Sequence, residues 1–122
     1  MQAQKFSIIR QLKSFRYAIA GIRELILSEH NARIHLTATI AVILMSVIFK
    51  VSRQEGLMIT GAIGLVWITE MFNTCIEKTM DFISTEKHPE IKSIKDIAAG
   101  AVLIAFVTAL IIGLTIFIPK IL

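Results

Sequence analysis

The chain has 122 residues, of which 55% are hydrophobic and 18% charged, and its mean hydropathy is +0.72. Soluble domains usually carry about 45–50% apolar and about 25% charged residues, so this composition indicates a membrane protein and excludes a disordered tail or a multidomain enzyme. The single cysteine, Cys75, excludes an internal disulfide. In a membrane protein the net charge of +4 reflects topology, and we expect no nucleic acid partner.

The first segment has the spacing of an amphipathic helix. Its apolar residues recur every three or four positions and form one stripe, made of Ile8, Leu12, Phe15, Ile19, Ile22 and Ile26. The opposite side is polar and carries Arg10, Lys13, Tyr17 and Glu24. A basic amphipathic helix of this kind lies in the membrane interface and does not cross the bilayer. We therefore predict a surface helix over about 6–29.

Three apolar stretches follow, and we predict membrane helices over about 31–49, 57–82 and 96–118. A helix of about 20 residues crosses the hydrocarbon core. The turn before the second span contains Gly56, which we interpret as the helix breaker. Asp96 has the position of an N-cap for the third span. The prediction is an all-α membrane protein in which 1–122 forms one domain.

The basic residues predict the orientation. Ten lysines and arginines precede the first span or lie between the second and third, against three on the other side, which are Lys50, Arg53 and Lys120. Cytoplasmic loops of membrane proteins carry the excess of basic residues. We therefore expect the amino terminus and the 78–96 loop to face the cytoplasm.

The second span carries a polar face. At about 100° per residue, Glu70, Asn73, Glu77 and Asp81 fall within an arc of about 80°. An acid inside a span costs on the order of 2.5–3.5 kcal/mol, so it indicates a function or a buried partner. A simpler explanation of Glu70 and Asn73 is that their side chains form hydrogen bonds to neighbouring helices. However, three carboxylates on one face repel each other unless a cation joins them, and carboxylate oxygens suit Mg²⁺.

Other charged residues belong to the same membrane surface. Glu29 ends the surface helix at the depth where Glu77 should emerge, so the two predict a divalent metal site, although Glu29 could also be a solvated acid at a helix end. Four basic side chains could hold a polyphosphate or could simply be solvated charges of the cytoplasmic face: Arg10, Lys87, His88 and Lys95. Carboxylates for a metal and cations for phosphates favour phosphoryl transfer, although the chain has no GxxxxGK[ST] loop and no protein-kinase motif.

The same residues carry a family resemblance. The motif Glu70-x-x-Asn73-Thr-x-Ile-Glu77-x-x-x-Asp81, followed by Lys95-Asp96 and Ala-Ala-Gly-Ala-Val-Leu-Ile at 98–104, resembles the small prokaryotic diacylglycerol kinase and undecaprenol kinase family. The resemblance extends from about Arg10 to Pro119. It implies a homotrimeric kinase of the bacterial cytoplasmic membrane, with active sites shared between subunits. Such a kinase transfers the γ-phosphate of MgATP to a lipid hydroxyl.

The resemblance also implies residue roles. Glu70 would be the general base, Asn73 and Asp81 would orient the catalytic carboxylates, and Glu29 and Glu77 would hold Mg²⁺. The implied nucleotide contacts are Arg10, Tyr17, Glu29, Glu77, Glu86, Lys87, His88, Lys95 and Asp96. Arg23 and Arg33 would lie with Glu70 near the lipid substrate. The segments His88-Pro89 and Ala32-Arg33-Ile34-His35 are more similar to undecaprenol kinases than to diacylglycerol kinases of the enteric type.

The competing interpretation is a non-enzymatic membrane protein, either a proton-coupled transporter or an assembly subunit. A transporter also uses an acid within the membrane, but it needs polar groups that continue to the far side. Here the far half of each span is nearly free of charge. The polar residues gather at one surface, which favours the lipid kinase.

Overall fold

The computed structural model describes residues 7–122, and the regular elements within that range are all α-helices. The helices are α1 (Ile8–Ser28), α2 (His30–Ile48), α3 (Arg53–Ile83) and α4 (Pro89–Ile121). By length and composition α2, α3 and α4 could each cross a membrane. This confirms the predicted all-helical architecture, and it gives three candidate spans where three were predicted. Lys5 and the predicted helix start at residue 6 lie outside the described residues.

The contacts within the chain form two compact units, one up to Leu36 and one over Thr37–Leu122. In the first unit, Ser7 is the N-cap of α1 and its Oγ accepts a hydrogen bond from the Arg10 backbone N–H at 3.4 Å. The helix ends at Glu29, whose N–H donates to the Leu25 carbonyl at 2.9 Å. Most of the apolar stripe is exposed, at Ile8, Leu12, Phe15, Ile19 and Ile22.

In the second unit, α2 ends in a Schellman turn. The Val51 N–H donates to the Ser46 carbonyl at 3.2 Å, and the Lys50 N–H donates to the Val47 carbonyl at 3.3 Å. Lys50 takes the left-handed conformation, with a φ of 51°. Glycine usually occupies this position, because a Cβ atom there crowds the backbone.

The start of α3 corrects the interpretation of Gly56. Ser52 and Glu55 form a capping box: the Ser52 Oγ accepts from the Glu55 N–H at 3.1 Å, and the Glu55 Oε1 accepts from the Ser52 N–H at 2.9 Å. Gly56 therefore lies inside the helix, and its prediction as a breaker is wrong. The same Glu55 Oε1 lies 3.0 Å from the Lys120 Nζ, which pairs α3 with α4.

The start of α4 corrects the prediction for Asp96. His88 is the N-cap, its Nδ1 accepts from the Glu90 N–H at 3.2 Å, and Pro89 follows at the first helical position. Asp96 thus lies two turns inside the helix and is not its N-cap. Only residues 84–88 connect α3 to α4.

The core of the second unit lies at the end that carries the Lys50 turn. Ile59, Ile116 and Phe117 are buried together, and the rings of Phe49 and Phe117 are 6.2 Å apart at 59°. Further along, the Trp67 Nε1 donates to the Thr39 Oγ1 at 2.9 Å, so α2 and α3 are also joined by a hydrogen bond. The buried side of α3 continues toward its other end through Ala62, Val66, Glu70 and Thr74.

Candidate active site

The polar face of α3 passes from the protein interior to solvent. Glu70 is only 4% exposed, Asn73 and Glu77 are partly buried, and Asp81 is exposed. At a rise of about 1.5 Å per residue the face extends over about 16 Å. A carboxylate at one end is therefore shielded from water, while the carboxylate at the other end is open to ions and solutes.

Asn73 links two turns of this face. Its Nδ2 donates to the Glu77 Oε1 at 3.2 Å, which fixes the Glu77 carboxylate against the helix. Its Oδ1 is buried and has no hydrogen-bond partner among the described residues. Buried side-chain acceptors in folded proteins are nearly always satisfied. Asn73 therefore adds a buried acceptor oxygen to the polar face, one turn before the Glu77 carboxylate.

Asp81 and Lys95 join the polar face to α4. The Lys95 Nζ lies 2.5 Å from the Asp81 Oδ1, and the two side chains are 35% and 61% exposed. This ion pair holds a cation beside the acidic face. One turn away on α4, the Lys92 Nζ lies 2.6 Å from the Asp96 Oδ2, and this second pair is well exposed.

The 84–88 connection is organised by two local hydrogen bonds. The Ser84 Oγ accepts from the Glu86 N–H at 3.1 Å, and the His88 Nδ1 accepts from the Glu90 N–H at 3.2 Å. The side chains of Glu86, Lys87 and His88 are exposed. The connection thus presents an acid, an amine and an imidazole to solvent on a short, ordered segment.

The remaining predicted site residues lie in the first unit. Arg10, Tyr17 and Arg23 are exposed on α1, and Tyr17 is 71% exposed. Glu29 is the partly buried C-cap of that helix. Arg33 donates from Nε to the Ile26 carbonyl at 3.1 Å and from Nη2 to the Leu27 carbonyl at 2.6 Å. The guanidinium thereby satisfies carbonyls of the last turn of α1, which have no partner within their own helix.

The structure brings some predicted site residues together within one unit. It joins Asn73 to Glu77 and Asp81 to Lys95. Among residues 7–122, no group of three or more His, Cys, Asp or Glu side chains is placed to hold a metal ion. Glu29 belongs to the first unit and Glu77 to the second.

Two features of this region were missed by sequence reasoning. Thr74 is 5% exposed and lies one turn after Glu70, so it belongs to the same buried part of α3. Its spacing of four from Glu70 was the signal that could have identified it. The capping role of Arg33 was also missed. The available signal was that the last turn of α1 has no basic residue of its own to interact with its carbonyls.

Comparison with known families gives one match over most of the chain. The family model described as prokaryotic diacylglycerol kinase matches residues 16–117. This range contains α3 and nearly all of the polar side chains described above, from Tyr17 to Asp96.

Curated relatives carry two names. An undecaprenol kinase of Bacillus subtilis is 41% identical over 111 residues, covering 91% of this chain and 90% of the relative. A diacylglycerol kinase of Synechocystis is 35% identical over 112 residues, covering 91% of this chain and 64% of the relative. The diacylglycerol kinase of Escherichia coli K12 is 28% identical over 102 residues, covering 84% of each chain.

Proposed function

The chain belongs to the prokaryotic diacylglycerol kinase family, and on that premise we propose that it transfers the γ-phosphate of ATP to the hydroxyl group of a membrane lipid alcohol. The observation that carries the proposal is the position of Glu70. Glu70 is a nearly buried acid on a helix that could cross a membrane. It lies at the buried end of the polar face, and the Asp81–Lys95 pair lies at the exposed end. An ionisable residue inside a membrane span indicates a functional site.

We propose undecaprenol as the preferred lipid, with diacylglycerol as the second candidate. The Bacillus subtilis relative is named an undecaprenol kinase, and it is more similar to this chain than the diacylglycerol kinases of Synechocystis and Escherichia coli described above. The His88-Pro89 segment and His35 resemble undecaprenol kinases as well.

In the proposed reaction the lipid hydroxyl oxygen attacks the γ-phosphorus of ATP. A new P–O bond forms to the lipid, the bond between the γ-phosphorus and the bridging oxygen breaks, and ADP leaves. Glu70 is the proposed general base and accepts the hydroxyl proton. This role requires the lipid hydroxyl to bind within hydrogen-bond reach of the Glu70 carboxylate. Its burial supports this role, since a lipid alcohol presents its hydroxyl at the membrane boundary and water would otherwise compete as acceptor.

We propose magnesium as the metal of this reaction, because carboxylate oxygens are its preferred protein ligands. Mg²⁺ is usually held by one or two carboxylates, with waters and substrate phosphates completing the shell. The Glu77 carboxylate and the unsatisfied Asn73 Oδ1 are oxygen donors of this type. We assign Glu29 and Glu77 as the metal carboxylates, with Asn73 and Asp81 orienting the face. When bound, the metal would offset the negative charge of the ATP phosphates.

The remaining assignments place the nucleotide on the cytoplasmic side. Lys95 supplies a cation beside the acidic face, and the 84–88 connection presents further polar groups. The proposed nucleotide contacts are Arg10, Tyr17, Glu29, Glu77, Glu86, Lys87, His88, Lys95 and Asp96. Arg23 is assigned to the lipid head-group region.

We further propose that α1 lies in the interface of the bacterial inner membrane, that the amino terminus is cytoplasmic, and that the protein is a homotrimer. The exposed apolar stripe of α1 supports its interfacial position.

The test is phosphate transfer from labelled MgATP in mixed micelles that contain either undecaprenol or diacylglycerol. We expect transfer to undecaprenol to be faster, and we expect Glu77→Gln to lose transfer while remaining folded. Preferential transfer to diacylglycerol would overturn the lipid assignment alone. No transfer to either lipid from a folded sample would overturn the kinase proposal and restore the non-enzymatic interpretation.

A further inference from the structure

Arg33 belongs to α2, and its side chain caps the carboxyl-terminal end of α1. Three carbonyls of the last turn are occupied in sequence: Leu25 accepts from the Glu29 N–H, Ile26 from the Arg33 Nε and Leu27 from the Arg33 Nη2. The last carbonyls of any helix need partners beyond its own ladder. Arg33 of the next helix therefore supplies two of the hydrogen bonds that cap α1.

The residue enclosed by this cap is Glu29. It stands between α1 and α2 in extended conformation, with φ −108° and ψ 121°, and Arg33 reaches back past it to the two preceding carbonyls. Because these hydrogen bonds hold the backbone next to Glu29, they fix the direction in which its Cα–Cβ bond leaves the chain. The two distances from the guanidinium nitrogens to the carbonyl oxygens, 3.1 and 2.6 Å, are short enough for hydrogen bonds.

From this geometry we infer that Arg33 is a positioning residue for the Glu29 carboxylate. The inference rests on the proposed function, in which Glu29 is a metal carboxylate, and it replaces the expectation that Arg33 contacts the lipid substrate. A planar guanidinium bonds two successive carbonyls through a rigid fork, whereas a lysine amine is a point donor on a flexible stem. The role therefore needs an arginine and not only a positive charge.

The experiment uses the full chain in detergent micelles and compares Arg33→Gln, Arg33→Lys and the wild type. Arg53→Gln is the matched control, because it also removes one exposed arginine but lies at the start of α3. The first readout is backbone amide hydrogen exchange at Glu29, which does not depend on catalysis. We expect exchange to accelerate about tenfold or more in Arg33→Gln, since the last turn of α1 loses its cap.

The second readout separates an effect on metal binding from an effect on lipid binding. Loss of a residue that orients a metal ligand typically weakens metal affinity about 10- to 100-fold. We expect Arg33→Gln to raise the Mg²⁺ concentration for half-maximal activity by that factor, with Arg33→Lys in between and the KM for lipid unchanged. Arg53→Gln should match the wild type in both readouts.

Two other outcomes would overturn the role proposed for Arg33. A higher lipid KM with unchanged Mg²⁺ dependence would return Arg33 to the lipid site and overturn the inference. Unchanged amide exchange at Glu29 would also overturn it, because the cap would then not hold that backbone. If the wild type transferred no phosphate at all, the proposed function would fail, whereas the exchange result would still report on the cap.

Discussion

Lys95 of α4 and Asp81 of α3 form an ion pair with 2.5 Å between Nζ and Oδ1, so the exposed carboxylate of the polar face is already joined to a cation. A bound polyphosphate would compete with this carboxylate for the amine. In the proposed site this pair would keep Lys95 at the acidic face before a nucleotide binds. Its two side chains are partly and largely exposed, which limits its energetic value.

We expect the Asp81–Lys95 pair to matter more for activity than for stability. A double-mutant cycle of Asp81→Asn and Lys95→Gln, followed by thermal unfolding in detergent, should give a coupling energy below about 1 kcal/mol. Lys95→Gln should nevertheless reduce kcat/KM for ATP by at least about 100-fold, because phosphoryl transfer depends on charge stabilisation. A large coupling energy with nearly normal kinetics would contradict this assignment.

Glu70→Gln should lower kcat by about 100- to 10,000-fold, since it removes the proposed general base while keeping the size of the side chain. The measurement is phosphate transfer at saturating lipid and ATP, with the helical content checked by circular dichroism. Glu90→Gln is the control, because Glu90 is an exposed acid in the first turn of α4. Normal transfer by a folded Glu70→Gln protein would remove Glu70 from the mechanism.

Asn73→Asp should make stability depend on divalent cations. The substitution replaces the Nδ2 donor to Glu77 with a second carboxylate, and losing a hydrogen bond to a charged group costs about 1.5–3 kcal/mol. We expect a lower melting temperature in EDTA and recovery when MgCl₂ is added. Asn73→Leu, which carries no charge, is the control and should show no recovery. Equal melting of Asn73→Asp with and without Mg²⁺ would argue against a cation at this face.

His88→Ala should destabilise the start of α4 by about 1 kcal/mol, because it removes the N-cap acceptor for the Glu90 N–H. His88→Asp should restore the cap, since aspartate is a preferred N-cap residue. If His88 also contacts the nucleotide, the KM for ATP should stay raised in both variants. Full recovery of the ATP KM in His88→Asp would leave capping as the role of this residue.

Lys50→Gly should stabilise the protein by about 0.5–1 kcal/mol, because glycine accepts the φ of 51° without steric cost. Lys50→Ala is the matched control: it also removes the long side chain but keeps the Cβ atom. We expect no stabilisation from alanine in denaturant unfolding. Equal stabilisation by both would show that the lysine side chain, and not the backbone conformation, sets the effect.

Hydropathy predicted the helices well where apolar residues mark them and less well at their ends. The third span was predicted to begin at about residue 96, but α4 starts seven residues earlier at Pro89. A hydropathy pattern follows the bilayer, whereas a helix begins where a cap and a proline allow it. Similarly, Gly56 was interpreted as a helix breaker, whereas the Ser52 capping box starts α3 before that residue.

The candidate site was predictable as far as one helix determines it. The spacing of Glu70, Asn73 and Glu77 placed them on one face, and the structure adds their burial and the Asn73–Glu77 hydrogen bond. Contacts that join separate elements were not readable from the spacing. The Arg33 cap and the Asp81–Lys95 pair both depend on how the chain turns between helices.

The packing of the second unit is uneven along its length. At the end near the Lys50 turn, Ile59, Ile116 and Phe117 form a compact cluster and Lys120 is paired with Glu55. At the opposite end, α3 and α4 are linked across their surfaces by the solvent-accessible Asp81–Lys95 pair. Apolar burial thus holds the two helices at one end, whereas an exposed ion pair contributes at the other, so we expect high salt to weaken the Asp81–Lys95 contact and leave the cluster around Phe117 intact.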